Sequence, residues 1–124
     1  MKRIVHLGEL QLKIMRVLWA RGEATVNEAR AAVGSRLAPA TIATLLRRLE
    51  AQGLVRHRVE GRTFVYTPLI AEDAVARGLV GELLNRLFVG SVPALVNHLL
   101  RSRDLSAEEL AEMEKMITER KRKS

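Results

Sequence analysis

Between Gly53 and Pro68 the spacing of apolar residues changes. Upstream they recur every three or four positions, whereas Leu54, His57 or Val59, Phe64 and Tyr66 fall into two short alternating runs either side of Glu60-Gly61. Alternation puts successive side chains on opposite faces of a strand, and Glu-Gly supplies a tight turn. Leu54 to Arg58 and Thr63 to Thr67 therefore read as two strands around Val59-Glu60-Gly61-Arg62. The apolar and aromatic residues in these runs have β-propensity that a helix would not need.

Three helices precede the hairpin. The first spans Gly8 to about Ala20, with Leu10, Ile14, Val17 and Leu18 at helical spacing and Arg21-Gly22 as its end. Thr25, followed three residues on by Glu28, is a capping-box start for a short second helix to about Val33, and Gly34 closes it. Pro39 fits the first turn of a third helix running to about Gln52, whose buried stripe is Ile42, Leu45, Leu46 and Leu49. Beyond Pro68 three further helices are expected. They run from about Ala71 to Phe88, from Ser91 to about Arg101, and from a Ser106/Glu109 capping box onward.

Three helices and a hairpin within about seventy residues make the plan of a winged helix-turn-helix, in which the third helix enters the DNA major groove and the hairpin reaches the flanking backbone. The expected architecture is mainly α with a small β-hairpin. A winged-helix DNA-binding domain over residues 1–69 is followed by a helical dimerisation domain over residues 70–124.

Charge follows the same division. The 124 residues carry a net +7, and all of the excess lies in residues 1–68, with 12 Lys/Arg against 5 Asp/Glu; residues 69–124 hold 9 of each. A basic half suits a polyanion. On the third helix, the face opposite the apolar stripe presents Ala40, Ala43, Thr44 and Arg47, with Thr41 and Arg48 on its shoulders. Ala and Thr methyls can meet thymine methyls, Thr hydroxyls can meet bases or phosphates, and Arg can fork onto guanine or a phosphate. A plain solvated face is the alternative, but such faces are usually richer in Glu, Lys and Gln. Arg56, Arg58 and Arg62 on the hairpin suit phosphate contact, or else serve only to keep an edge from aggregating.

The second half reads differently. Val75, Leu79, Leu83, Leu87, Leu95, Leu99, Leu110, Met113 and Ile117 form apolar helix faces with little else in the chain to cover them, which points to a two-fold homodimer.

Several function classes drop out. Without cysteine there are no disulfides, thiolate metal sites or thiol nucleophiles. His6, His57 and His98 have no ligand or acid-base partner at local spacing, and no catalytic set or phosphate loop is present, so neither an enzyme nor a cofactor is expected. Trp19 reads as a core anchor, and Phe64 with Tyr66 as packing between hairpin and third helix. The start MKRIVHLGEL lacks a secretion-type apolar run, and Glu82, Arg86, Gly90 and Pro93 interrupt the apolar stretch Leu79 to Leu100. A cytoplasmic protein that does not enter the membrane is the expectation.

Three blocks carry a family resemblance. They are Gln11, Met15, Leu18 and Trp19; Thr41, Thr44, Leu45, Arg48 and Leu49; and Gly61, Arg62, Tyr66 and Pro68. With their surroundings they resemble the penicillinase-repressor (BlaI/MecI) family of bacterial transcriptional regulators, which includes the copper-responsive CopY repressors, over nearly the whole chain. The resemblance implies a homodimeric winged-helix repressor acting on palindromic double-stranded DNA operators of resistance or stress genes. In some members a membrane-bound sensor triggers cleavage in the dimerisation helices. Here the corresponding region reads Asn97-His98-Leu99, which departs from the Asn-Phe bond cut in those members, so a sensor protease is not carried over. The cysteine-based metal sensing of CopY-type members is closed to this chain. A winged-helix protein-interaction adaptor and a non-specific architectural DNA-binding protein are the alternatives.

Overall fold

The computed structural model describes residues 4–124. Its elements are α1 (Glu9–Arg21), β1 (Ala24–Thr25), α2 (Val26–Val33), α3 (Pro39–Ala51), β2 (Val55–Glu60), β3 (Thr63–Pro68), α4 (Glu72–Leu87), α5 (Val92–Ser102) and α6 (Ala107–Lys123). The helix ends are where local chemistry puts them. Thr25 Oγ1 accepts the Glu28 backbone N–H at 3.1 Å while the Glu28 carboxylate accepts the Thr25 N–H at 2.9 Å, so both partners of the α2 capping box are engaged. Ser106 and Glu109 do the same for α6, at 3.0 and 3.1 Å. Pro39 occupies the first turn of α3, where its missing N–H costs no helical bond.

The hairpin is part of a larger sheet than the sequence suggests. Two residues, Ala24 and Thr25, pair antiparallel with Tyr66 and Val65 to make a third strand, and the order is β1-β3-β2. A two-residue strand has no alternation to read, and its partner lies some forty positions away. The β2–β3 ladder also runs further than expected, from Val55↔Pro68 to Glu60↔Thr63. The loop is left as Gly61-Arg62 alone. Gly61 has φ +63°, the left-handed value a two-residue hairpin turn requires and glycine adopts without strain.

The chain divides into two compact units, residues 1–82 and 83–124. In the first, Ile14, Met15 and Leu18 of α1 pack with Ala29 of α2, Ile42, Leu46 and Leu49 of α3, and Leu54, Val55 and Tyr66 of the hairpin. Val75, expected on the dimer face, belongs instead to this core and is only 4% exposed. The first turns of α4 continue the N-terminal fold, so its inward side is already used there. Trp19 is half-buried against the same core, and its indole N–H donates to the Ile70 carbonyl at 2.8 Å. In the second unit, neither α5 nor α6 buries a single residue, and Leu83, Leu87, Leu99, Leu110 and Ile117 are exposed. Among the described residues, no single helix is long and apolar enough to cross a membrane.

Leu46→Ala is expected to lower unfolding stability by about 2–5 kcal/mol, the usual cost of a cavity in a closed core. Thr25→Ala should cost about 1 kcal/mol through the lost cap. Urea denaturation followed by circular dichroism checks both, and an unchanged midpoint for Leu46→Ala would contradict the packing described.

Candidate nucleic-acid interface

Burying Ile42, Leu46 and Leu49 turns the other side of α3 to solvent. Ala40, Thr41, Arg47 and Arg48 are exposed there, and Ala43 and Thr44 are half-buried. These six residues divide between two shallow grooves of about 320 Å³ each. Ala43 and Arg47 line one, together with Thr25 of β1, Asn27 of α2, and Arg62, Thr63, Phe64 and Tyr66 of the wing. Ala40, Thr41, Thr44 and Arg48 line the other with Leu45. Thr44 connects the two sides, since its hydroxyl accepts a 3.2 Å hydrogen bond from the Arg47 guanidinium one turn on. Small side chains at 40 and 43 let a partner approach the helix closely, and the arginines stand at the edges of that approach.

The wing arginines do not converge as a group. Arg62, on the turn, shares the first groove with Arg47. Arg56 and Arg58 alternate onto the sheet face that also carries Val65 and Thr67, whereas His57, Val59, Phe64 and Tyr66 occupy the other face, the one whose His57 meets Glu50 of α3. Arg58 is moreover committed. Its guanidinium forks onto both oxygens of Glu23, at 3.0 and 2.9 Å, and reaches Glu60 at 2.9 Å. Hydrogen bonding to Glu23, then to Glu60, raises the Arg58 pKa further, and the same bond holds the Glu23 carboxyl below its ordinary range. The three wing arginines thus stand in different settings, one beside α3, one exposed on the opposite face, and one in an ion-pair network.

Other features lie outside what local spacing reveals. Asn27 and Thr63 enter the first groove because α2 and the wing turn are adjacent in space. His57 Nδ1–H meets the Glu50 carboxylate at 2.7 Å, and His6 Nε2 meets Glu82 at 2.8 Å, so two histidines without a local partner find carboxylates through the fold. Phe64 is 43% exposed and stacks on His57 with centroids 4.3 Å apart, in contrast to buried Tyr66. Burial, reinforced by the nearby negative charge of Glu50, raises the Tyr66 phenol pKa. Among the described residues, no group of three His, Asp or Glu side chains could hold a metal ion.

A recognition-type helix flanked by a β-wing, with arginines facing the cleft between them, defines a winged-helix DNA-binding protein. Residues 7–119 match the family model described as Penicillinase repressor. The penicillinase repressor of Bacillus licheniformis is 34% identical over 123 residues, covering 98% of this chain and 96% of the relative. The transcriptional regulator BlaI of Mycobacterium tuberculosis (strain ATCC 25618 / H37Rv) is 33% identical over 87 residues, 68% of this chain and 63% of that one. The solution structure of the DNA-binding domain of the repressor BlaI superposes with a TM-score of 0.51 at 38% identity, covering 60% of this chain and 93% of the domain. The chain belongs to the penicillinase repressor (BlaI/MecI) family of winged-helix DNA-binding transcriptional repressors, and it is not an enzyme.

The Glu23 carboxylate adds an acid-side dependence. Its folded pKa lies below glutamate's ordinary value of about 4.5. The stability it contributes is thus present above that value and is lost as pH falls through the folded pKa. Glu23→Gln should lose less stability than the native chain between about pH 6 and pH 3, as read by urea midpoints. Parallel pH curves for the two proteins would show that this ion pair has no part in acid unfolding.

Proposed function

We propose that this repressor binds a palindromic operator as a homodimer, with α3 in the major groove, and lowers transcription by blocking polymerase access to resistance or stress-response genes. The observation that carries the reading is the cleft in which Arg47 of α3 and Arg62 of the wing stand together over the small residue Ala43. Thr44 and Arg47, with Ala40 and Ala43, face bases; Thr41 and Arg48 hold phosphates on the other side of the helix; Arg62 holds the backbone beside the groove. Arg56 is a secondary phosphate contact. Arg58 serves mainly to brace the wing through Glu23 and Glu60.

Residues 1–69 supply the DNA-binding module, and residues 70–124 supply the dimer contacts. Support for the second part is the exposed apolar series Leu79, Leu83, Leu87, Leu99, Leu110 and Ile117, with Leu95 and Met113 half-buried beside it. Leu87 is 70% exposed in the single chain, an unusual place for a large aliphatic side chain without a partner. Two-fold pairing would set the two α3 helices about one turn of DNA, or a multiple, apart.

Selection of bound duplexes from a random pool identifies the operator, and fluorescence anisotropy on that operator and a scrambled duplex tests the roles. Arg47→Ala should cost about 1–3 kcal/mol on the operator and relax preference at one base pair, while Arg62→Ala weakens both duplexes alike. Equal losses on both duplexes for Arg47→Ala would remove its base-reading role. Affinity should also fall steeply and log-linearly with salt. A flat salt response would favour a protein-binding adaptor, and similar native affinity for operator and random duplex would favour an architectural role.

A further inference from the structure

The core fixes the hairpin only at its root. Leu54 just before β2, Val55 at its start, and Val65 and Tyr66 on β3 are buried, whereas every residue from Arg58 to Phe64 is exposed. Arg62 sits at the far end of that exposed half. Two carboxylates grip the hairpin level with Val65 and Tyr66, one from each face. Glu23, in the turn before β1, holds Arg58, and Glu50, in the last turn of α3, holds the neighbouring residue His57.

The Glu50 contact has three parts. One carboxylate oxygen accepts the His57 backbone N–H at 3.1 Å, so the strand itself is tied to α3. The carboxylate also accepts the ring Nδ1–H at 2.7 Å, which orients the imidazole. The oriented ring then stacks on Phe64, its interplanar angle 14°, and Phe64 lies on the return strand two residues from Arg62. These contacts run from the end of α3 to Phe64, which lines the same groove as Arg62 of the wing turn.

We propose that Glu50 and His57 are positioning residues for DNA binding: they lock the wing to α3 so that Arg62 stands in the Arg47 groove when DNA is met. Neither side chain need touch DNA. Their effect is to make the Arg62 contact available without first ordering a free hairpin, so the wing's share of affinity depends on the clamp. This rests on the reading that α3 and the wing together bind DNA.

A double-mutant cycle in the full-length protein tests the clamp, with anisotropy titrations on the selected operator. Arg62→Ala is expected to weaken binding about tenfold in the native background and less than about twofold in Glu50→Ala, because an unclamped wing no longer delivers the arginine. Glu50→Gln removes the same charge but keeps one oxygen to accept the His57 backbone N–H, while its amide NH2 can donate to Nδ1 of the other neutral ring tautomer. In that background the Arg62→Ala loss should return to about tenfold. Loss of a repelling charge near DNA would not separate Gln from Ala at position 50, and circular dichroism detects a fold defect directly. Should Glu50→Ala fail to fold by circular dichroism, His57→Ala replaces it in the same cycle with the same expectation. An undiminished Arg62→Ala loss in the clamp-deficient background would overturn the proposal. So would an Arg62→Ala substitution without effect in the native background, since the wing would then have no contact to position. Failure of the native protein to bind any duplex would instead overturn the DNA-binding reading on which the proposal stands.

Discussion

The burial of one side of α3 is the constraint on which the rest depends. Ile42, Leu46 and Leu49 are fully enclosed by α1, α2 and the root of the hairpin, and closing that core fixes both the axis of α3 and its rotation about the axis. Rotation matters most. A turn of the helix by one residue, about 100°, would carry Arg47 or Thr44 toward the core and put a leucine in the groove. The same core holds Leu54, Val55 and Tyr66, so the wing is rooted in the contacts that orient the helix. Recognition surface and core are two sides of a single element.

Charge is then allotted by pairing. The positive excess of the N-terminal half suggests a uniform attraction for polyanions, but individual arginines are used differently. Arg21 and Arg58 are bound to Glu28 and Glu23, and Arg30 donates to the carbonyls of Ser35 and Leu37, which steadies the loop entering α3. Among the described residues, the Arg47 guanidinium donates within its own helix, to Thr44, and has no carboxylate partner. Ion pairs at the surface add little stability, so the main consequence of such pairing is where it leaves charge available. Among the described residues of this half, Arg47 and Arg48 on α3 and Arg62 at the wing turn stay out of ion pairs, as do Arg16, Arg36 and Arg56.

The helices were legible because their signals are local. Capping boxes at Thr25/Glu28 and Ser106/Glu109, Pro39 in a first turn, and the stripe Ile42, Leu45, Leu46 and Leu49 each span a turn or two of chain, and each is realised in the fold except that Leu45 is only half-buried and lines the second groove. β1 was not legible, because two residues carry no period and their partner strand is distant in sequence. The same holds for Arg56, Arg58 and Arg62. Seven positions contain all three, but strand alternation and the turn send them to different faces, and Arg58 is held by Glu60 two residues on and by Glu23, distant in sequence and brought near by the fold. Val75 fits both a dimer stripe and a core by spacing alone. Its burial follows from the first part of α4 belonging with the N-terminal unit.

By itself the sequence determined the order and ends of the helices, the hairpin turn at Gly61, the amphipathic division of α3 and the basic character of the first half. All of these are set by neighbours within a few residues. Only the tertiary structure decided which arginines remain available, that Val75 faces inward, and that Glu50, His57 and Phe64 form one set of contacts between helix and wing. Those outcomes depend on residues meeting across the fold at hydrogen-bonding or stacking distance, and no local spacing encodes that distance.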